Sequence, residues 1–232
     1  MKIAILSDIH GNCFALKSVL DAVEKNGIET LIIAGDFIGY YFWPVKVFNL
    51  LKDYDPIVVR GNHDKMLKKA KEDTVYLEKI CKKYGNGLKI ALDQLGDERI
   101  EWLSNLPDLV EYETQDGKIL ICHGSPWDGD EYVYPDSDDD SLNRYAQLNT
   151  KWIIQGHTHY SMHIKIGDIT LINPGSVGQP RDKKLGAHWA LLDTNLNKVD
   201  FYCEQYNIKT VIKESRERHS EIPYLANILE RQ

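Results

Sequence analysis

The chain has 232 residues, 43% of them hydrophobic and 27% charged, with a formal net charge of −7. That length predicts a single domain over residues 1–232 with a core large enough to need no staples. The acidic balance offers no basic footprint for nucleic acid, and no stretch approaches the roughly 18 apolar residues of a membrane span. The 4 cysteines (Cys13, Cys81, Cys122 and Cys203) form no C-x-x-C pair, which excludes a zinc knuckle or a redox motif. With no secretory h-region after Met1-Lys2, the expectation is a reducing, cytoplasmic compartment.

Strand and helix alternate through the first third. The run KIAIL predicts a strand, followed by a helix over Phe14–Lys25 that Asn12 can cap and Gly27 ends. TLIIAG predicts a second strand, Pro44 opens a helix through Leu51, and PIVVRG predicts a third strand. This β-α-β-α-β opening implies a parallel sheet. Lys65–Pro107 reads as helical, with lysines interleaved with Glu72, Asp73 and Glu78 on a solvated face.

The second half changes character. Hairpins are expected at Val110–Glu113 with Lys118–Cys122, and at Met162–Ile166 with Ile169–Ile172. Trp189–Asp193 and Val199–Glu204 flank another turn, Tyr206–Ile212 is read as extending that sheet, and a helix near Ile222–Arg231 closes the chain. In the acidic loop Asp136–Asp140, the expectation is that Ser141 caps the helix that follows. Parallel units first and hairpins later suggest two mixed sheets packed face to face with helices outside.

Five of these apolar runs end in metal-ligand or acid-base residues. Asp8 and His10 follow the first, Asp36 the second, and Asn62, His63 and Asp64 the third. His123 closes KILIC, and His157 and His159 close KWIIQG. Ligands of an open α/β sheet gather beyond the carboxyl ends of its strands, so these side chains are expected to meet at one edge. In extended segments residues two apart point the same way, so Asp8 and His10 can face one ion, as can His157 and His159. Cys122 points away from His123 and belongs to the core.

Imidazole, carboxylate and amide donors without thiolate suit manganese, iron, zinc, cobalt or nickel. Asp8, His10, Asp36, Asn62, His123, His157 and His159 are too many for one tetrahedral ion and suit two ions sharing a carboxylate. Two such ions lower the pKa of a bridging water and stabilise in-line displacement at phosphorus. His63 is left over beside a ligand, free to act as general acid, with Asp64 as its candidate orienting partner.

The blocks D-x-H, G-D, G-N-H-D, H-G and G-H-x-H occur here in the order found in the calcineurin-like metallophosphoesterase superfamily, which the chain resembles from Asp8 to His159. The stretch NPGSVGQPR at Asn173–Arg181 extends the resemblance to its small bacterial and archaeal phosphodiesterases. The resemblance implies a four-layer α/β/β/α sandwich with a dinuclear site. It gives Asp8, His10 and His159 to one ion, and Asn62, His123 and His157 to the other. Asp36 bridges, and His63 protonates the leaving group.

The expected function is hydrolysis of small, nucleotide-like phosphodiesters or phosphomonoesters, with manganese first among the metals. The alternative on the same fold is a non-catalytic metal-binding scaffold. The protein serine/threonine phosphatase branch continues its G-D block as V-D-R-G, whose Arg clamps phosphate; here Phe37-Ile38-Gly39-Tyr40-Tyr41 follows, and that Arg is missing. Tyr40 and Tyr41 are candidates to stack on a nucleobase. Asn12, Arg60 and Arg181 are candidate phosphate contacts.

Overall fold

A computed structural model describes residues 1–231. Strands β1 (Lys2–Leu6), β2 (Thr30–Ile33) and β3 (Ile57–Val58) are linked by helices α1 (Cys13–Lys25) and α2 (Pro44–Leu51). Four helices follow: α3 (Asn62–Glu72), α4 (Thr74–Tyr84), α5 (Gly87–Gln94) and α6 (Gly96–Ser104). Next come β4 (Leu109–Thr114), β5 (Gly117–Cys122), the short α7 (Asp139–Asn143) and a 3-10 turn at Arg144–Gln147. Strands β6 (Trp152–Ile154), β7 (Ser161–Ile166), β8 (Ile169–Pro174), β9 (Ala187–Asp193) and β10 (Lys198–Glu204) lead to α8 (Ile208–Arg218) and α9 (Tyr224–Asn227).

The strands form two mixed five-stranded sheets, ordered β10-β9-β1-β2-β3 and β4-β5-β6-β8-β7. In the first sheet the parallel strands β1, β2 and β3 run to one edge and β1 pairs antiparallel with β9 of the β9–β10 hairpin; in the second, parallel β5, β6 and β8 are flanked by antiparallel β4 and β7. Period-two alternation divides each strand between layers. Ile3 and Ile5 join Ile32, Ile121, Trp152, Ile154 and Ile172 between the sheets, whereas Ala4 and Leu6 join the helix-covered side with Leu16, Val19 and Leu103. The result is the expected α/β/β/α sandwich. Its last layer is thin: over the second sheet lie mainly α7, the 3-10 turn with buried Tyr145, and loop residue Val133.

Two local expectations fail. Tyr206–Ile212 does not extend a sheet, because Asn207 accepts a hydrogen bond from Thr210 N at 3.3 Å and starts α8. Val211, Ile212 and Ser215, the buried residues of that helix, follow helical rather than alternating spacing. In the acidic loop the cap is Asp138, which accepts from Ser141 N at 2.8 Å. A carboxylate at that position also meets the positive end of the helix dipole. The closing helix is present as α9 and a 3-10 turn at Ile228–Glu230, packed on Tyr40, Tyr41 and Phe42.

Trp152 is fully buried between the sheets, with its indole N–H on Asn197 Oδ1 at 2.9 Å. Trp152→Ala should lower unfolding free energy by about 3–5 kcal/mol in urea titrations, since the surrounding sheets cannot collapse into the void.

Candidate metal centre

The sandwich brings the carboxyl ends of β1, β2, β3, β5 and β6 to one rim, and all five motif blocks lie there. The loops are locked to one another by their backbones: His10 N donates to Asp36 O at 2.9 Å, and Gly11 N to Phe37 O at 2.9 Å. The residues that close these strands are not extended. Asp8, His10, Asp36, His157 and His159 have φ of 54°, 51°, 58°, 68° and 64°. That left-handed region costs a non-glycine residue about 1 kcal/mol or more. The convergence expected from strand pleating therefore arises from sharp turns, which reverse the chain within one residue and aim side chains inward. Gly61 has no room for a side chain, because a Cβ there would overlap the Asp36 carboxylate.

Two groups of donor atoms result. His10 Nε2 lies 3.1 Å from His159 Nε2 and 3.7 Å from Asp8 Oδ1, and His159 Nε2 lies 3.3 Å from the same carboxylate oxygen. His123 Nε2 lies 3.1 Å from Asn62 Oδ1 and 3.2 Å from His157 Nδ1, which is itself 3.1 Å from Asn62 Oδ1. Asp36 Oδ2 stands between the groups, 3.6 Å from His10 Nε2 and 3.5 Å from His123 Nε2. His63 joins His10 and Asp36 with ligand atoms within 4.8 Å of one another.

Three of the four candidate ligand histidines have their outward-facing nitrogens engaged, His157 Nε2 being without a partner. His10 Nδ1 donates to Ile38 O at 3.3 Å, His159 Nδ1 to Gln179 O at 2.6 Å, and His123 Nδ1 to Ala34 O at 2.7 Å. Those bonds place a proton on each Nδ1, so in the neutral rings the Nε2 atoms of His10 and His159 confront each other as lone pairs. Asp8 Oδ1 beside them is buried and has no hydrogen-bond partner. Confronted lone pairs around an unpartnered carboxylate oxygen suit a divalent cation, and the donor set is right for one.

The electrostatics of the metal-free cluster agree. Burial opposes ionisation of Asp8 and Asp36, but His159 beside the first and His123 beside the second hold both well below the usual carboxylate range. Burial drives His10 far down, and burial with the charge of His123 takes His157 down to about 4. His123 goes the other way: burial works against its charge, but Asp36 prevails and lifts it to about 10. A proton on His123 is thus the stand-in for a cation. Burial also lowers His63.

Several candidates have other duties. Asp64 does not orient His63; its carboxylate accepts from Asp36 N at 2.9 Å, Gly61 N at 3.0 Å and Phe37 N at 3.1 Å, pinning two loops together, and His63 Nδ1 has no partner. Burial and then Asp36 push Asp64 up to about 8. Arg60 turns away to Asp108 at 2.8 Å and the carbonyl of Ser104. Asn12 caps α1 through Ala15 N at 3.2 Å and donates to Gly178 O at 3.0 Å. Tyr41 is fully buried, with its hydroxyl on Leu225 O at 3.2 Å, and cannot stack on a base. Tyr40 has no free face either: its ring packs on His10 and His63 at 4.5 and 4.9 Å.

Other residues of the site escape sequence reasoning. Tyr132, half exposed, lies over the His157 ring at 4.0 Å, and Tyr84 packs on His63 at 4.9 Å. Nothing in their spacing marks them. The NPGSVGQPR stretch is more than a turn: Asn173 Nδ2 donates to Gly156 O at 2.6 Å, and Ser176 Oγ to Asp8 O at 2.8 Å. It buttresses two of the ligand loops from outside.

The profile of the calcineurin-like phosphoesterase superfamily domain matches residues 1–197. An uncharacterized protein of Methanocaldococcus jannaschii is 32% identical over 228 residues, which cover 89% of this chain and 88% of that one. A phosphodiesterase of the same archaeon is 26% identical over 177 residues, 75% of this chain and 83% of its own. Among solved structures, a metallophosphoesterase of Sphaerobacter thermophilus has a TM-score of 0.77 at 26% identity, covering 100% of this chain and 98% of that one. A hypothetical protein of Pyrococcus horikoshii OT3 shares the fold with a TM-score of 0.84 at 23% identity, over 98% and 97% of the two chains.

The charge on His123 gives a test by titration. Because its folded pKa of about 10 exceeds the ordinary 6.5, it stabilises the metal-free fold fully below 6.5, and that contribution is lost as pH rises through about 10. A metal ion that takes the Nε2 lone pair must displace this proton. Calorimetric titration with manganese at pH 7, in buffers of different ionisation enthalpy, should show about one proton or more released per chain. Uptake without proton release would remove His123 from the ligand set.

Proposed function

We propose a two-metal hydrolysis for a chain that belongs to the calcineurin-like phosphoesterase superfamily and is a metal-dependent phosphoesterase. The reaction is cleavage of a small phosphodiester or phosphomonoester, and the supporting observation is the convergence of two groups of buried donor atoms on either side of Asp36. Asp8, His10 and His159 hold one divalent ion, Asn62, His123 and His157 hold the other, and Asp36 touches both. Manganese is the first choice by donor type, with iron, zinc, nickel and cobalt compatible. When bound, such ions polarise a phosphoryl oxygen and make water a nucleophile near neutral pH.

The chain's own side chains supply the rest. The carbonyls of Ile38, Ala34 and Gln179 hold His10, His123 and His159 with their ligand nitrogens inward, so no reorientation is needed when substrate arrives. Asp64 keeps the Asp36 and Gly61 loops in register. His63, beside Asp36 and without a partner at Nδ1, donates its proton to the leaving alkoxide. Burial lowers its pKa in the resting site, and an anionic phosphate brought beside it raises that pKa again.

Tyr132 over His157 and Tyr84 over His63 give the mouth aromatic walls. They favour a substrate with a flat group on its phosphate, a nucleotide being the natural instance. The phosphodiesterase of Methanocaldococcus jannaschii supports the diester side of the reading. The four unpaired cysteines, and the lack among the described residues of a helix able to cross a membrane, accord with work in a reducing cytoplasm.

The assay is turnover of bis-p-nitrophenyl phosphate and p-nitrophenyl phosphate with manganese or nickel. Activity with neither ester under any divalent metal would refute the reading, and the ratio of rates separates diesterase from monoesterase. His63→Ala should keep both ions yet lower turnover about 10²–10⁴-fold on alkyl esters, and less on nitrophenyl esters. His157→Ala should lose one ion by elemental analysis. Equal metal loss in both variants would make His63 a ligand instead of an acid.

A further inference from the structure

The missing arginine of the G-D block leaves open what grips the substrate phosphate. One guanidinium beside the centre forms no salt bridge among the described residues. Arg181 is half-buried, its backbone N–H bonds His159 O at 3.3 Å, and among the described residues it has no carboxylate partner. The adjacent Asp182 is committed to His188 at 3.3 Å. Arg181 Nη2 donates to Tyr40 Oη at 3.2 Å, and its Nε is buried without an acceptor. A guanidinium carries five N–H donors, so most remain unspent in a setting where an unpaired charge is costly.

Tyr40 links this charge to the reacting groups. Its ring packs edge-on against His10 and tilts against His63, while its oxygen accepts from Arg181. The phenol therefore keeps its own proton to donate. Cation and phenol together form a pair of donors on the His10–His63 side of the centre, and Arg60, the other arginine among the sequence candidates, is already paired with Asp108.

We propose that Arg181, held in place by Tyr40, is the phosphate anchor of this site and takes the place of the arginine absent after Asp36. Its guanidinium and the Tyr40 hydroxyl grip a non-bridging phosphoryl oxygen and present the ester oxygen to His63. Tyr40 is then a donor that positions the anchor instead of a base-stacking wall. This assignment rests on the hydrolytic reading above.

The test is calorimetric titration of inorganic phosphate into the manganese-loaded protein, with metal content and Tm measured for every variant. Arg181→Gln should weaken phosphate binding about ten- to a hundredfold at unchanged metal content, the usual scale for losing charge-assisted hydrogen bonds. Arg181→Lys should recover part of the loss by restoring charge without the fork. Tyr40→Phe, which keeps the packing, should weaken binding by a smaller factor. Phosphate binding by Arg181→Gln as tight as wild type would overturn the proposal, and so would loss of metal, which would make Arg181 a brace for the His159 loop. If Arg181→Gln does not fold, wild-type affinity in both Arg181→Lys and Tyr40→Phe overturns it equally. Wild-type protein that binds no phosphate would overturn the hydrolytic reading itself, and this anchor with it.

Discussion

The constraint on which this structure depends is the confinement of like partial charges. His10 and His159 point nitrogen lone pairs at each other across 3.1 Å, beside a carboxylate oxygen with no hydrogen-bond partner. With both rings neutral, Ile38 O and Gln179 O take the outer N–H groups and no proton is left between these atoms; only an added proton or a cation relieves them. The backbone adds to the cost, because five residues that aim these side chains adopt left-handed conformations at roughly 1 kcal/mol or more each. Such a cluster survives only if the rest of the fold over-determines it. The two-sheet interior, Asp64 on three loop amides, and Asn173 and Ser176 behind two ligand turns supply that rigidity.

A rigid, overcrowded donor set is a physical account of preorganisation. Ligands already locked by their second nitrogens need not be ordered when a cation arrives, so binding energy is not spent on them. On the proposed reading, the same rigidity would let one side of the centre hold ions while the other presents His63 and the Arg181 guanidinium. His63 and Arg181 are joined through Tyr40, so the proposed acid and the proposed anchor share one packing unit.

Much of this was legible in the sequence because strands announce themselves by composition, and polar residues immediately after buried strands have few places to go. The five blocks, the sheets and their hairpins follow from that alone. What was not legible depends on direction and on distant partners. Arg60 ends a strand beside the ligands, yet a salt bridge to Asp108 turns it away, and no local pattern records that choice. Tyr41 lies one residue from Tyr40, but its hydroxyl reaches Leu225, 184 positions along. Asp64 looked like a partner for His63 because it is adjacent; in a helix start, adjacent side chains diverge, and its carboxylate faces the Asp36 loop. Tyr132 belongs to a long loop, and its contact with His157 arises only once that loop folds over the rim.

The claim at the centre of this account is that the two groups of donors hold two ions that share Asp36. The most direct measurement is anomalous diffraction at the manganese edge from crystals of the chain grown with manganese. The account predicts two peaks about 3.5–4 Å apart, one against Asp8, His10 and His159 and one against Asn62, His123 and His157. A single peak, or ions held without Asp36, would contradict it.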